Sequence, residues 1–326
     1  MVRKFMLFLI GLLVLGGLLF VFGPREPVDE ALAFARAQVG DDIDAYLKER
    51  ETGVEAITPG AEKQVVWHSG NVGSKTPYSV VYIHGFSATA QEIRPVPDMV
   101  ANTLGANLHF TRLKGHGRDG SAMAEATVND WLNDTAEALE IGRRIGEKVI
   151  VISTSTGGTL SSWAELKPDM MVGVAGHVMV SPNFTVQAGS AEILTMPFAR
   201  TIVPIIAGAE RSFEPANEGQ AKWWTTTYPT VAVIPMQAIV AHTRALPFEQ
   251  AKRPALFVFH PDDGVVKSDV TKAIAERWGK DGGGAATVFE VSDSGDAYHH
   301  VIAGDVLSPQ NNEPFANRII EWVKAL

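Results

Sequence analysis

The 326-residue chain contains no cysteine, so neither a disulfide framework nor a cysteine nucleophile is available to it, although that absence does not fix a compartment. Positive charge is also scarce. Its 28 lysines and arginines are outnumbered by 37 aspartates and glutamates, a formal charge of -9, and no basic run exceeds a pair such as Arg143-Arg144. Electrostatics therefore gives no reason to expect nucleic acid or an anionic membrane surface as a partner. Glycine-rich phosphate loops, paired Cys/His spacings and the H-E-x-x-H pattern are all missing, and the chemistry is expected to need no cofactor and no metal. Internal repeats and low-complexity tracts are missing too; Asp281-Gly282-Gly283-Gly284 reads as a flexible loop.

What the chain does have is one long apolar run, Phe5 to Phe22, preceded by Arg3 and Lys4. Its length approaches the ~20 residues that span a bilayer as a helix. The exit, Val21-Phe22-Gly23-Pro24-Arg25, lacks a small-x-small cleavage pattern, so residues 1–23 read as an uncleaved signal anchor in preference to a removed signal peptide. With Arg3 and Lys4 retained inside, the remainder would face the non-cytoplasmic side. Residues 24–326 suit one α/β domain with a large core.

The densest local signal is Lys148 to Thr159, KVIVISTSTGGT. A β-branched run ends abruptly in small residues, as at a nucleophile elbow, where a serine on a strained strand-to-helix turn projects its hydroxyl from the sheet edge. Ser155 holds the nucleophile position. Ser153 stands where the first glycine of G-x-S-x-G is usual, and a slightly looser or shifted helix is expected to accommodate it. Taken alone, STSTGG is equally consistent with a plain polar turn.

Other strand ends add to it. The run YSVVYIH (Tyr78 to His84) is broken by Gly85, which lets the Phe86 amide point at a developing oxyanion, with the Thr156 amide as second donor. His84 is expected to hydrogen-bond the loop, without a catalytic part. The strand PALFVFH (Pro254 to His260) leads into Pro261-Asp262-Asp263-Gly264-Val265-Val266, where an acid can orient an imidazolium, and ATVFEV (Ala286 to Val291) leads to His299-His300. The order Ser, Asp, His is that of the α/β-hydrolases.

The elbow, with YIHGFSATAQEIRP (Tyr82 to Pro95), ANLHFTRLKGHGRDG (Ala106 to Gly120), NDWLNDTAEAL (Asn129 to Leu139), HPDDGVVKSD (His260 to Asp269) and HHVIAGD (His299 to Asp305), makes the chain from about Tyr78 onward resemble the α/β-hydrolases. The branch is that of monoacylglycerol lipases, lysophospholipases and bacterial carboxylesterases. The resemblance implies a mostly parallel sheet with helices on both faces and an inserted helical lid. In that family the triad acid precedes a D-x-V-V stretch, which selects Asp263 over Asp262, and the histidine precedes an apolar pair, which selects His300 over His299. The departures are Ser153 for glycine and Thr154 where histidine or leucine is common.

His116 reads as a turn-stabilising residue of the Lys114-Gly115-His116-Gly117 loop. Asn129 to Leu139 fits the first part of a helix capped by Asp130 or Thr127. Apolar residues at helical spacing between Val28 and Glu51 suggest a helix that packs on the body or spaces it from a membrane. The lid is expected at about 183–248, as short helical stretches carrying Met196, Phe198, Phe213, Trp223, Trp224, Tyr228 and Met236; each is by itself ordinary lid core, and together they suggest an apolar acyl pocket. The expected function is hydrolysis of an acyl ester or lipid by Ser155, Asp263 and His300. A peptidase, thioesterase or acyltransferase with the same triad is the alternative among enzymes, and a catalytically silent anchored binding protein the alternative outside them.

Overall fold

The computed structural model describes residues 2–326. Helix α1 (Val2–Phe22) is followed by α2 (Ile43–Glu51) and by the first five strands of a sheet: β1 (Gln64–Val66), β2 (Thr76–Ile83), β3 (Asn107–Phe110), β4 (Gly146–Thr154) and β5 (Val174–Val180). Next come β6 (Glu210–Ser212) and β7 (Thr227–Pro229), an antiparallel ribbon of their own, before β8 (Ala255–Phe259) and β9 (Ala286–Glu290) complete the main sheet. Its order is β1-β3-β2-β4-β5-β8-β9, with every neighbouring pair parallel except β1 with β3.

Valine and isoleucine dominate the central strands because both faces of the sheet are covered. Side chains alternate across the strand, so Val80 and Tyr82 meet one helical layer while Val81 and Ile83 meet the other. Helices α3 (Val96–Leu104), α4 (Val128–Ile145) and α5 (Thr156–Glu165) follow β2, β3 and β4. The insertion after β5 holds α6 (Ala199–Ala207), α7 (Glu218–Trp223) and α8 (Val233–Arg244), and the chain closes with α9 (Ser268–Arg277) and α10 (Asn312–Lys324). Helices α3 and α10 cover the first face, and α4, α5 and α8 the second. The α4 start follows its sequence signal, with Thr127 and Asp130 forming a reciprocal capping box.

Three segments depart from expectation. Between Val28 and Glu51 the α-helix begins only at Ile43, and the chain before Arg36 runs as an extended strap. Its polar groups are satisfied from the body instead of by a helix: the Phe34 amide donates to Asn133 Oδ1 at 2.7 Å, and Glu30 accepts from Trp163 Nε1 and Lys167 Nζ and faces His242 Nε2. The region at 183–248 is not helical throughout, since it contains the β6–β7 ribbon. Its last helix, α8, is almost wholly buried and packs on α5, so it belongs to the helical layer of the body. The edge strand β1 went unrecognised because three residues are too few for a periodic signal.

A buried ion cluster ties β1 to α4. Lys63 Nζ lies 2.9 Å from Asp134 Oδ1 and also pairs with Glu137, which takes bonds from Tyr46 and Arg50 besides. Asp134 also accepts the Lys114 amide at 2.7 Å, which anchors the loop carrying His116. Burial raises the Glu137 carboxyl, but Lys63, Tyr46 and Arg50 outweigh it and bring the group from its usual 4.5 down to about 2. Because this folded-state value lies below the unfolded one, the stabilisation is present above about 4.5 and is lost as pH falls toward 2. Lys63→Met should therefore cost about 3–5 kcal/mol by stranding two buried acids, measured by urea unfolding at pH 7. It should also flatten the acid-side loss of stability, and a variant with wild-type stability at both ends of that range would contradict the cluster's role.

Candidate active site

The sequence-predicted residues follow the carboxyl ends of β2, β4, β8 and β9. Strand β4 ends at Thr154, and Ser155 turns the chain into α5 with φ 51° and ψ -116°. A side chain in this region is strained, and the strain lifts the serine out of both the strand and the helix. Glycine is needed next to it: a Cβ on Gly157 would lie 2.1 Å from the Ile83 carbonyl oxygen, so the helix could not approach β2. At Ser153, where a glycine is usual, the hydroxyl lies 2.8 Å from that of Ser161 on α5, so the extra polar atom is matched by a hydrogen bond.

Of the two adjacent acids, Asp262 is exposed and Asp263 is buried. Asp263 Oδ2 lies 2.8 Å from His300 Nδ1, while its Oδ1 accepts the amides of Val265 and Val266. His299 faces elsewhere. Its ring stacks on His260, with centroids 4.1 Å apart, and its Nδ1 meets Ser294 Oγ. The β5 end links His300 to Ser155, since the Ser155 amide donates to the Val180 carbonyl and the neighbouring Ser181 hydroxyl donates to the His300 carbonyl at 2.8 Å. Burial disfavours a charged His300, but Asp263, helped by Glu92 and Asp296, outweighs it and holds the imidazole above its usual value. With Nδ1–H directed at Asp263, Nε2 is left as the basic nitrogen.

The Phe86 amide lies one residue beyond Gly85, and the Thr156 amide is the first of α5, where helical geometry provides no acceptor. His84 supports this loop: its Nε2 accepts the Leu113 amide at 3.1 Å, its Nδ1 faces the Gly85 carbonyl, and burial lowers its pKa well below the usual value. It is a neutral structural imidazole, packed on the buried His116 ring. The insertion closes over the loop, with the Thr225 amide donating to the Ser87 carbonyl at 2.7 Å and Tyr228 meeting Phe86 edge-on. Phe213, Trp223 and Trp224 pack into the same cluster as Val301, Ile302 and Leu307 behind His300. Ser155 is 6% exposed under this cover.

Two residues escaped the sequence reading. Asp296 Oδ2 accepts the amides of His300 and Val301, at 3.0 and 2.9 Å, and so fixes the turn that aims the imidazole. An aspartate four residues before the candidate histidine was its one available signal. Glu92, buried beside Gly85, lies in the Tyr82 to Pro95 stretch that carries the resemblance, but nothing in Ala90-Gln91-Glu92 itself distinguishes it from a solvated turn acid.

No family model matches the chain. In sequence it is 33% identical over 95 residues to a thermostable monoacylglycerol lipase of Bacillus sp. strain H-257; the match covers 29% of this chain and 38% of that enzyme's length. In structure it is similar to a metagenome-derived lipolytic enzyme, with a TM-score of 0.67 and 21% identity over 83% of this chain and all of that one. A soluble variant of the Saccharomyces cerevisiae monoglyceride lipase gives a TM-score of 0.60 at 11% identity, covering 82% of this chain and 92% of that one. The Paleococcus ferrophilus monoacylglycerol lipase gives 0.55 at 15%, covering 80% and 96%. The fold is that of the α/β-hydrolases.

Proposed function

We propose that this chain is a serine hydrolase that cleaves carboxylic (acyl) esters through an acyl-enzyme intermediate. The contact between Asp263 Oδ2 and His300 Nδ1, at the sheet edge that also carries a strained Ser155, is the observation that carries this proposal. Ser155 attacks the ester carbonyl while His300 Nε2 takes its proton, and the amides of Phe86 and Thr156 receive the oxyanion. His300 then protonates the departing alcohol, and water repeats the sequence on the acyl group. Asp263 holds the tautomer and stabilises the imidazolium. The names of the similar proteins, monoacylglycerol lipases and a lipolytic enzyme, support an ester with an apolar acyl group. A panel of matched esters, thioesters and amides tests this on the purified chain. Turnover should be fastest with esters, whereas preference for an amide or thioester, or no turnover with any of them, would contradict it.

The location proposed for this chemistry is a membrane surface, with α1 as the anchor and the catalytic body on the non-cytoplasmic side. The most apolar 18-residue stretch of helix α1 has a mean hydropathy of 2.9 and buries nothing against the body, so the helix is long and apolar enough to cross a bilayer. Contacts at its exit also support this. The Phe198 amide donates to the Pro24 carbonyl, and Arg200 forms a two-pronged pair with Glu26. Beside that junction α6 exposes Ile202, Ile205 and Ile206, an apolar patch suited to a lipid interface. The full chain is expected to remain in the membrane pellet through carbonate extraction, while a chain starting at Gly23 should appear in the supernatant and still hydrolyse a short soluble ester. A mature protein found soluble with its first residue after Phe22 would show cleavage and contradict the anchor.

A further inference from the structure

Glu92 is a buried ionisable group at the site to which the chemistry above gives no task. It follows β2 and sits where three loops meet, 2% exposed. Toward the oxyanion loop, its Oε2 accepts the Gly85 amide at 2.8 Å, one residue before Phe86. Toward the nucleophile, Tyr82 Oη lies 2.9 Å from both Glu92 Oε2 and Thr154 Oγ1, and Thr154 immediately precedes Ser155. A Cβ on Gly85 would fall 2.7 Å from Glu92 Oε1 and 3.1 Å from Ser155 Cβ, so the carboxyl and the nucleophile converge on one glycine. Toward the histidine loop, a Cβ on Gly304 would lie 2.6 Å from the Glu92 carbonyl oxygen, and the Asp305 amide donates to the Arg94 carbonyl.

A neutral glutamine could accept the Gly85 amide equally well. What the acid adds over a glutamine is a negative charge at this position. We propose that Glu92 is a positioning residue of the hydrolytic site, which fixes the Gly85 corner of the oxyanion loop and places a negative charge that stabilises the His300 imidazolium as Ser155 gives up its proton. This rests on the ester-hydrolase proposal above. Asp263 bonds the His300 ring and Asp296 its backbone amide, and the negative charges of Asp263, Glu92 and Asp296 all favour the charged imidazole. Glu92 itself is raised by burial to about 7, restrained by the Gly85 amide, the Tyr82 hydroxyl and His300. Its charge therefore develops across neutral pH, and its titration and that of His300 are coupled.

The sign follows directly. Without the Glu92 charge, His300 binds its proton less tightly and titrates at lower pH, and the imidazolium of the transition state loses support. The test is the pH titration of the His300 ring by NMR in the detergent-solubilised full chain with labelled histidine, the signal being identified by its loss in His300→Ala. Kinetics on a short ester are measured alongside. In Glu92→Gln the titration should move to lower pH, and kcat should fall on the order of tenfold, short of the ~10²–10³ lost with a direct oxyanion donor. KM should be unchanged, because Glu92 touches no substrate. Tyr82→Phe, which withdraws a donor from the carboxyl and keeps it protonated to higher pH, should move the titration in the same direction by less, and it serves if Glu92→Gln does not fold. A His300 titration that coincides with wild type in the folded variants would overturn the proposal, even in an active ester hydrolase. The NMR readout needs no substrate, so a shifted titration in a chain that hydrolyses no ester would support the coupling and count against the ester chemistry alone.

Discussion

Ser155→Ala is expected to reduce ester turnover by about 10⁶-fold, the scale of loss when a serine nucleophile is removed. The substitution deletes one oxygen from a residue held at φ 51°, and leaves untouched the Asp263–His300 pair and the amides that would receive the oxyanion. Folding and substrate binding should survive, with the residual rate coming from oxyanion stabilisation and binding alone. Ser153→Ala provides the control. Its hydroxyl bonds Ser161 inside the sheet–helix interface, so the variant should lose about 1 kcal/mol of stability and keep most of its activity. Comparable loss of turnover in both variants would contradict the assignment of the nucleophile.

The second large effect separates the adjacent pairs. His300→Ala should remove activity to nearly the same extent as Ser155→Ala, and Asp263→Ala should cost on the order of 10⁴-fold, since a misoriented imidazole retains some function as a base. Asp262→Ala and His299→Ala should stay within a few-fold of wild type, because one side chain is exposed and the other is occupied with His260 and Ser294. His299 sits at φ 54°, so circular dichroism must accompany its assay. Equal losses within either pair would contradict the choice made there.

Much of this arrangement was legible because the parallel strands announce themselves as Val/Ile runs that stop at small or polar residues, and the functional groups of this fold gather at those stops. Ser155 was placed by its crowd of small neighbours. The choices of Asp263 and His300 came from the family resemblance, and in the structure these two are the residues that face each other. Groups whose meaning depends on long-range contact were not legible. Glu92 gains its environment from Gly85, Tyr82 and a loop more than two hundred residues away, and Asp296 acts through backbone amides that leave no trace in residue type. The strap before Arg36 was misread because apolar residues at helical spacing also serve an extended segment lying along α4, α5 and α8. The β6–β7 ribbon was missed for want of length, as β1 was.

Covalent labelling of the unmodified full chain with a fluorophosphonate, followed by peptide mass mapping, is the most direct single measurement. The expected result is one phosphonyl adduct, on Ser155, formed more slowly at pH values where His300 is protonated. An adduct on Ser153 or any other residue, or no adduct on a chain shown to be folded, would contradict the proposed serine hydrolase.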